Sequence, residues 1–196
     1  ANGRIAMVDL RDFKTKQILD VPNLDSSHGG VFCTPNSEYV HISTMSPTLL
    51  DPTKAEGALA NYKDNFRGYS TFLKVDQTTG HLDVSKSFQI ELPPYTQDLA
   101  DSGKLASDGW VFINSYNSEM ATGGNLTGGK PLEVGASAND FDFLHIINWK
   151  KAEEVFKAGK TKPIAGMNVI SLQTSIDEGI MHFIPEPKSP HGVDVS

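Results

Sequence analysis

The stretch Val21-Pro-Asn-Leu-Asp-Ser-Ser-His-Gly29 returns near the end of the chain as Ile184-Pro-Glu-Pro-Lys-Ser-Pro-His-Gly192. In both copies an apolar residue and a proline are followed, after five intervening residues, by a His-Gly pair. Ser26 of the first copy also matches Ser189 of the second. A repeat of this kind indicates a fold assembled from similar units.

A third, weaker copy of the repeat begins at Leu92-Pro93 and has Leu99 at the histidine position. After it, Trp110-Val-Phe-Ile-Asn114 aligns in register with Tyr39-Val-His-Ile-Ser43 of the first copy. Each repeat unit is therefore predicted to contain, in order, a strand that ends at a proline, a loop, the start of the next strand at the His-Gly position, a tight turn and a further strand.

Short apolar, β-branched segments bounded by turn residues run along the whole chain, a pattern typical of β-strands. They are Ile5–Leu10, Gln17–Val21, Gly30–Thr34, Tyr39–Thr44, Ser70–Asp76, Leu82–Leu92, Gly109–Tyr116, Phe143–Asn148, Asn168–Gln173 and Met181–Pro185. A parallel α/β fold would need a helix between most of these strands. The spacing predicts one short surface helix, from a capping Asn148 to a terminating Gly159. We therefore expect an all-β fold, and specifically a partial β-propeller.

Composition excludes several classes of protein. The 196 residues include 17 Lys and Arg against 24 Asp and Glu, a net charge of −7, so there is no basic footprint for nucleic acid. No apolar run has the roughly 18–20 residues of a membrane span. A single cysteine, Cys33, excludes an internal disulfide framework, and its apolar strand predicts a buried thiol. Because Ala1 directly precedes one strand pattern and Ser196 interrupts another, we expect the chain to be a piece of a longer protein.

His28 and His191 are the strongest candidates for chemistry, because they occupy the same position in two copies of one repeat. In a propeller, equivalent positions of successive blades converge on the central channel, where imidazoles can share a metal ion. The alternative is that His-Gly only completes a turn. The other four histidines, His41, His81, His145 and His182, have the pattern of packed or solvent-facing side chains.

Oxygen donors form a second candidate site. Tyr116-Asn-Ser-Glu119 closes one strand, and Asn139-Asp-Phe-Asp142 opens another after a glycine-rich loop. Carboxylates and carbonyls in such loops suit a hard cation such as Ca²⁺. The alternative is a solvated polar loop. A nucleophilic pair of Cys33 with His41 stays open but nothing singles it out, and Glu153-Glu154 is interpreted as a solvated helix face.

Four segments together resemble the nitrous-oxide reductase family, in the order and rough spacing of that family and over nearly the whole chain. They are the histidine loops Val21–Gly29 and Ile184–Val193, the Tyr-Asn-x-Glu segment Ser115–Glu119, and the strand-then-helix segment Phe141–Gly159. The resemblance implies that 1–196 is part of an N-terminal β-propeller domain, roughly three or four blades of a ring of seven. The family's C-terminal cupredoxin domain, with its dinuclear copper site, would lie outside this chain.

The resemblance also implies an activity and its metal ligands. His28 and His191 would be two of the ligands of a tetranuclear copper–sulfide cluster that reduces N2O to N2 and water, the last step of denitrification. Tyr116, Glu119, Asp142 and Ser189 would bind a structural calcium ion, although Ser189 stands where many family members have Asn. The resemblance further implies a periplasmic homodimer that receives electrons from a c-type cytochrome or a cupredoxin. The chain alone would be inactive.

Two other interpretations remain open at this point. The chain could come from another copper or quinoprotein propeller. It could also come from a surface or binding propeller without catalysis, in which the His-Gly pairs are turn elements.

Overall fold

The computed structural model describes residues 2–24, 27, 31–58, 62–94, 96–116, 126–127, 130–131, 142–187 and 192–195. This part of the chain is mostly β-structure, which agrees with the all-β expectation. The strands are β1 Asn2–Asp9, β2 Lys14–Pro22, β3 Phe32–Cys33, β4 Tyr39–Ser43, β5 Thr48–Leu49, β6 Phe66–Val75, β7 Leu82–Leu92, β8 Thr96–Ser102, β9 Trp110–Tyr116, β10 Leu126–Thr127, β11 Lys130–Pro131, β12 Asp142–Asn148, β13 Lys162–Ile164, β14 Met167–Ile170 and β15 Met181–Glu186. The helices are α1 Tyr62–Asn65, α2 Trp149–Lys157 and α3 Leu172–Asp177.

Two antiparallel meanders of four strands form the framework of the described residues. The first has the order β3-β4-β6-β7 and the second the order β8-β9-β12-β15, so each follows the chain direction. The hairpin β1–β2 precedes the first meander. Between the last two strands of the second meander, the chain makes the hairpin β13–β14, whose β14 runs parallel to β7 and extends the first sheet.

The hairpin and the two meanders pack face to face in chain order. On one side of the first meander, Val21 and Leu24 pack with Ile42 and Leu73 in a buried cluster. On the other side, a larger cluster joins Phe72 and other apolar residues of the first meander to the second meander and to α2. The first meander is consequently buried on both faces, because successive side chains of a strand point to opposite sides.

Helix α2 lies where the sequence predicts it. The side chain of Asn148 accepts a hydrogen bond from the backbone N–H of Lys151 at 3.0 Å, and Gly159 ends the helix with a φ of 74°. The apolar face buries Trp149, Ala152 and Val155 in the larger core. This burial holds the helix against both meanders, since a helix of nine residues is marginal by itself.

The expectation of a single helix is wrong, because α3 follows β14 directly. The predicted strand Asn168–Gln173 ends at Ile170, where the Ser171 side chain accepts a hydrogen bond from the backbone N–H of Thr174 at 3.1 Å. In the sequence, the helix is marked by Ser171 as its N-cap and by Gly179, which has a positive φ just after the helix ends.

The strand prediction also omits β8, the first strand of the second meander. Apart from Thr96, its sequence Thr-Gln-Asp-Leu-Ala-Asp-Ser has none of the β-branched and aromatic residues that mark a strand. Pairing with β9 imposes the extended conformation, and the register shifts between Gln97 and Ala100. Backbone hydrogen bonding therefore overrides local propensity at this position.

Candidate metal centre

Each of the two repeated histidines comes after the last strand of a β-unit along the chain. His28 lies between the last strand of the hairpin, β2, and the first strand of the next sheet, β3. His191 follows β15, the last strand of the second meander. Both histidines lie outside the described residues. The aligned segments β4 and β9 are each the second strand of their meander, as the repeat predicts.

A buried polar network fixes the chain where the His28 loop leaves β2. Asn23 has a φ of 60°, and its amide donates to Gln89 Oε1 at 3.0 Å and to the carbonyl of Ile164 at 3.1 Å. The fully buried Gln89 amide in turn donates to the carbonyl of Pro22 at 2.8 Å and to Thr71 Oγ1 at 3.0 Å. The loop thus starts from a point anchored on the first sheet. The sequence analysis does not predict this network. Its local signal is Asn23 directly after Pro22, because Asn tolerates a positive φ.

Two of the predicted calcium ligands come to the same end of the second meander. Tyr116 is the last residue of β9, and Asp142 is the first residue of the adjacent strand β12. The pairing of β9 with β12 ends at Asn114 and Leu144, so Tyr116 and Asp142 each lie two residues beyond the last pair, at the same end of these strands. The other two predicted ligands, Glu119 and Ser189, lie outside the described residues.

Glu186 is a candidate that the sequence reasoning missed. It is the last residue of β15 and stands directly opposite Asp142 in the antiparallel register. Asp142 is fully buried, and Glu186 Oε2 is buried without a hydrogen-bond partner among the described residues. Burial raises the pKa of Glu186 above its usual value, and the nearby charge of Asp142 raises it further. Carboxylate oxygens in this arrangement suit a hard cation such as Ca²⁺, which takes oxygen ligands.

Two of the three histidines in described strands, His41 and His145, are fully buried, whereas His182 is exposed. His41 Nε2 lies 2.7 Å from Ser70 Oγ, and its ring stands between those of Phe32 and Phe72. Burial lowers the pKa of His41 to about 3, so the imidazole is neutral at pH 7. Burial also lowers the pKa of His145 to about 4, although its hydrogen bond to the carbonyl of Ile113 opposes the shift.

No group of three or more His, Cys, Asp or Glu side chains in the described part of the chain is arranged to hold a metal ion. Cys33 is exposed, contrary to the expectation of a buried thiol, because β3 lies at the edge of its sheet. His41 is fully buried, and its ring contacts are aromatic, so the Cys33–His41 pair has no support. Within the described ranges, no helix is long and apolar enough to span a membrane.

Glu153 does not lie on a solvated face as the sequence suggests. Its Oε1 accepts a hydrogen bond from the Tyr39 hydroxyl at 2.6 Å, and its Oε2 lies 2.9 Å from Lys157 Nζ. Lys74 Nζ also lies 3.4 Å from Oε1 and 4.3 Å from the centre of the Tyr39 ring. Burial by itself would raise the pKa of Glu153, but these hydrogen bonds and positive charges together hold it below its usual value.

Comparison with known proteins adds two distant relatives. No family model matches the chain. The whole chain aligns with the nitrous-oxide reductase of Pseudomonas fluorescens at 26% identity over 205 residues, and with that of Stutzerimonas stutzeri at 23% identity over 208 residues. In both cases the chain spans 28% of the length of the curated relative. The chain is thus distantly similar to proteins of that name along its entire length.

Proposed function

We propose that this chain is a section of the β-propeller domain of a nitrous-oxide reductase, a copper-dependent oxidoreductase. The observation that carries the proposal is the His-Gly repeat, because both copies occupy the connection that follows the last strand of a β-unit. The alignment of this whole chain with 28% of the length of two nitrous-oxide reductases supports the same assignment.

The topology of the described residues supports the propeller part of the proposal. A propeller is built from four-stranded antiparallel meanders that pack face to face around an axis. We assign the two meanders to two consecutive blades and the hairpin β1–β2 to the outer half of the preceding blade. The first meander is buried on both faces, as an interior blade is. On this assignment the connections that carry His28 and His191 both run from one blade to the next.

In the proposed reaction, N2O, two protons and two electrons give N2 and water. Copper bound at the reacting centre would supply the two electrons, and imidazole is a suitable ligand for it. His28 and His191 would each contribute one neutral imidazole, and the remaining ligands would come from other parts of the longer protein. The Asn23–Gln89 network would hold the start of the His28 loop in place.

Calcium would have a supporting function beside the copper. Tyr116, Glu119, Asp142 and Ser189 are its proposed ligands. The oxygens of the buried Asp142 and of Glu186, whose Oε2 is buried without a hydrogen-bond partner among the described residues, suit a hard cation at this end of the second meander. Such an ion would fix the loop after β9 against the loop that bears His191 and so orient that ligand. A periplasmic homodimer, a dinuclear copper domain for electron entry and a c-type cytochrome or cupredoxin donor belong to the same proposal.

The activity is tested in the complete gene product, with N2 measured while a reduced dye supplies electrons. We expect His28→Ala and His191→Ala to abolish N2 formation, because each would remove a copper ligand. His81→Ala is the matched control, since His81 is exposed in the turn between β6 and β7, and it should retain activity. Full N2 formation by His191→Ala would refute the ligand role and favour a propeller in which His-Gly is a turn element.

A further inference from the structure

Two charged side chains of the second meander bind the backbone of Val195, which follows His191 by four residues. Near the end of β8, Asp101 Oδ2 accepts a hydrogen bond from the backbone N–H of Val195 at 2.9 Å. Lys104 Nζ donates to the carbonyl of Val195 at 3.3 Å and lies 3.4 Å from the same Asp101 oxygen. Both polar groups of the Val195 backbone are therefore bound by one ion pair.

Asp101 provides the stronger of these two contacts. Its side chain is only 19% exposed, and its Oδ1 accepts a hydrogen bond from the backbone N–H of Ser102 at 2.8 Å. Burial by itself would raise the pKa of Asp101, but the N–H groups of Val195 and Ser102 and the charge of Lys104 hold it below its usual value. A hydrogen bond to an ionised acceptor is about twice as strong as a neutral one. Lys104 is more than half exposed and contributes less, because solvent screens its charge.

The turn between β8 and β9 gives this ion pair a fixed place. Gly103 donates its backbone N–H to the carbonyl of Trp110 at 2.8 Å, and a Cβ at Gly103 would overlap the carbonyl oxygen of Ser107. The backbone N–H of Lys104 donates to Ser107 Oγ at 3.0 Å. Asp101 itself lies opposite Phe112 in the ladder of β8 and β9. The ion pair is consequently a fixed reference point of the second meander.

The position of Val195 in the repeat suggests what this contact does. Phe32 follows His28 by four residues, as Val195 follows His191. Phe32 is held by its ladder pairing with His41 in β4. Within the described residues Val195 belongs to no strand, so the contact with Asp101 takes the place of that pairing. Since four residues span at most about 14 Å, fixing Val195 also limits where His191 can lie.

We propose that Asp101 is a positioning residue for His191, because it fixes the chain that leaves this proposed copper ligand. The inference rests on the proposed function and adds a residue that neither the repeat nor the resemblance assigns. A ligand that is already held near its bound position loses less conformational entropy when the metal binds. Asp101 therefore increases the affinity for copper without contacting the metal itself.

The contact is tested first in the complete gene product, freed of metal with a chelator. Hydrogen exchange followed by mass spectrometry reports on the peptide that contains Val195. We expect Asp101→Ala to exchange about tenfold faster or more in this peptide, and Asp101→Asn to be intermediate, because its amide oxygen is a neutral acceptor. Asp108→Asn is the matched control, since it removes the ion pair of Asp108 with Lys150 at 2.6 Å and leaves the contacts of Val195 in place. It should exchange like the wild type in this peptide.

Titration of the same metal-free proteins with Cu⁺ separates positioning from general stability. We expect Asp101→Ala to raise the apparent Kd for Cu⁺ about tenfold, whereas Asp108→Asn should bind like the wild type. If Asp101 acts through His191, Asp101→Ala should raise the Kd no further when His191→Ala is already present. A residue that only stabilised the fold would raise the Kd equally in both backgrounds.

Each result has a distinct meaning. Faster exchange at Val195, with a raised Kd that disappears in the His191→Ala background, supports the proposal. Unchanged exchange, or an equal effect on the Kd in both backgrounds, overturns it. A wild-type Kd in Asp101→Ala, while His191→Ala raises the Kd, also overturns the role of Asp101 but leaves the proposed copper ligand standing. A wild-type Kd in His191→Ala refutes the ligand itself and the positioning role with it.

Discussion

At the scale of single residues, His41 is a titratable group that is fully buried among aromatic side chains. Its ring is enclosed by Phe32 and Phe72, and its Nε2 meets Ser70 Oγ at 2.7 Å. Its Nδ1 is buried without a hydrogen-bond partner among the described residues. A second proton on this ring would place a positive charge in the protein interior, where no described group accepts a hydrogen bond from Nδ1. Burial therefore lowers the pKa of His41.

This burial predicts acid sensitivity. The pKa of His41 is about 3 in the folded protein, whereas an unfolded histidine has a pKa of about 6.5. Below pH 6.5 the unfolded chain binds a proton at His41 that the folded protein does not bind. The contribution of His41 to the free energy of unfolding is therefore fully present above that pH and is lost as the pH falls toward 3. We expect a loss of about 2 kcal/mol from this residue between pH 7 and pH 5. Native-state hydrogen exchange of the β4 amides measures it.

The variant His41→Gln separates titration from packing. It should be less stable than the wild type at pH 7, because the ring contacts are lost, yet its stability should depend less on pH. A slope between pH 7 and pH 5 equal to that of the wild type would contradict the prediction.

The same scale shows where sequence reasoning stops. Asp142 could be proposed as a cation ligand because it lies beside a loop rich in oxygen donors and glycine. Glu186 could not, because its relation to Asp142 depends on the cross-strand register of β12 and β15. Likewise, the contact of Asn23 with Gln89 joins two segments that only the tertiary fold brings together.

At the scale of elements, α2 is fixed to the first sheet by a polar contact as well as by its apolar face. Tyr39 is nearly fully buried and donates its hydroxyl to Glu153 Oε1. The chemistry of this contact is a hydrogen bond to a charged acceptor, with Lys74 and Lys157 close to the same carboxylate. It joins the first meander to the helix that follows β12.

We expect Tyr39→Phe and Glu153→Gln to be coupled. Each single change should lower the free energy of unfolding by about 1–3 kcal/mol, and the double variant by less than the sum, with a coupling energy of about 1–2 kcal/mol. A double-mutant cycle by chemical denaturation measures this. Glu154→Gln, on the exposed side of the same helix, should change stability by less than about 0.5 kcal/mol. Strict additivity of the two changes would contradict the coupling.

Elements differ in how far local sequence determines them. Helix α2 is predictable because three local signals coincide: the capping Asn148 at its start, the helical spacing of its apolar residues and Gly159 after its end. Helix α3 is not evident from the sequence because the apolar Val169-Ile170 is followed closely by Leu172, and the Ser171 cap alone marks the start of the helix. Strand β8 was missed because its pairing with β9, rather than its composition, makes it a strand.

At the scale of the whole molecule, the hairpin and the two meanders form a stack with apolar residues on both outer faces. Ile18 on the hairpin is 61% exposed, and Ile184 on the second meander is 47% exposed. Each alternates with side chains that point into the cores, so both belong to faces that the described residues do not cover. On the propeller proposal, further parts of the longer protein cover these faces.

We therefore expect this chain, expressed alone, to self-associate and to show no N2O reduction. Exposed apolar sheet faces and open strand edges promote association. Ile18→Lys combined with Ile184→Lys should reduce association in light scattering, whereas Ile18→Val combined with Ile184→Val should not. In the complete gene product the same pair of lysines should be destabilising, since on the propeller proposal neighbouring blades cover these faces there. A chain that is monomeric and melts cooperatively without any substitution would contradict the prediction.

The ratio of copper to protein chain in the complete gene product tests most directly whether the two repeated histidines bind copper. Elemental analysis should find copper in the wild type and in His81→Ala, and markedly less in His28→Ala and in His191→Ala. Wild-type copper content in both of the latter variants would contradict the assignment of these histidines as ligands.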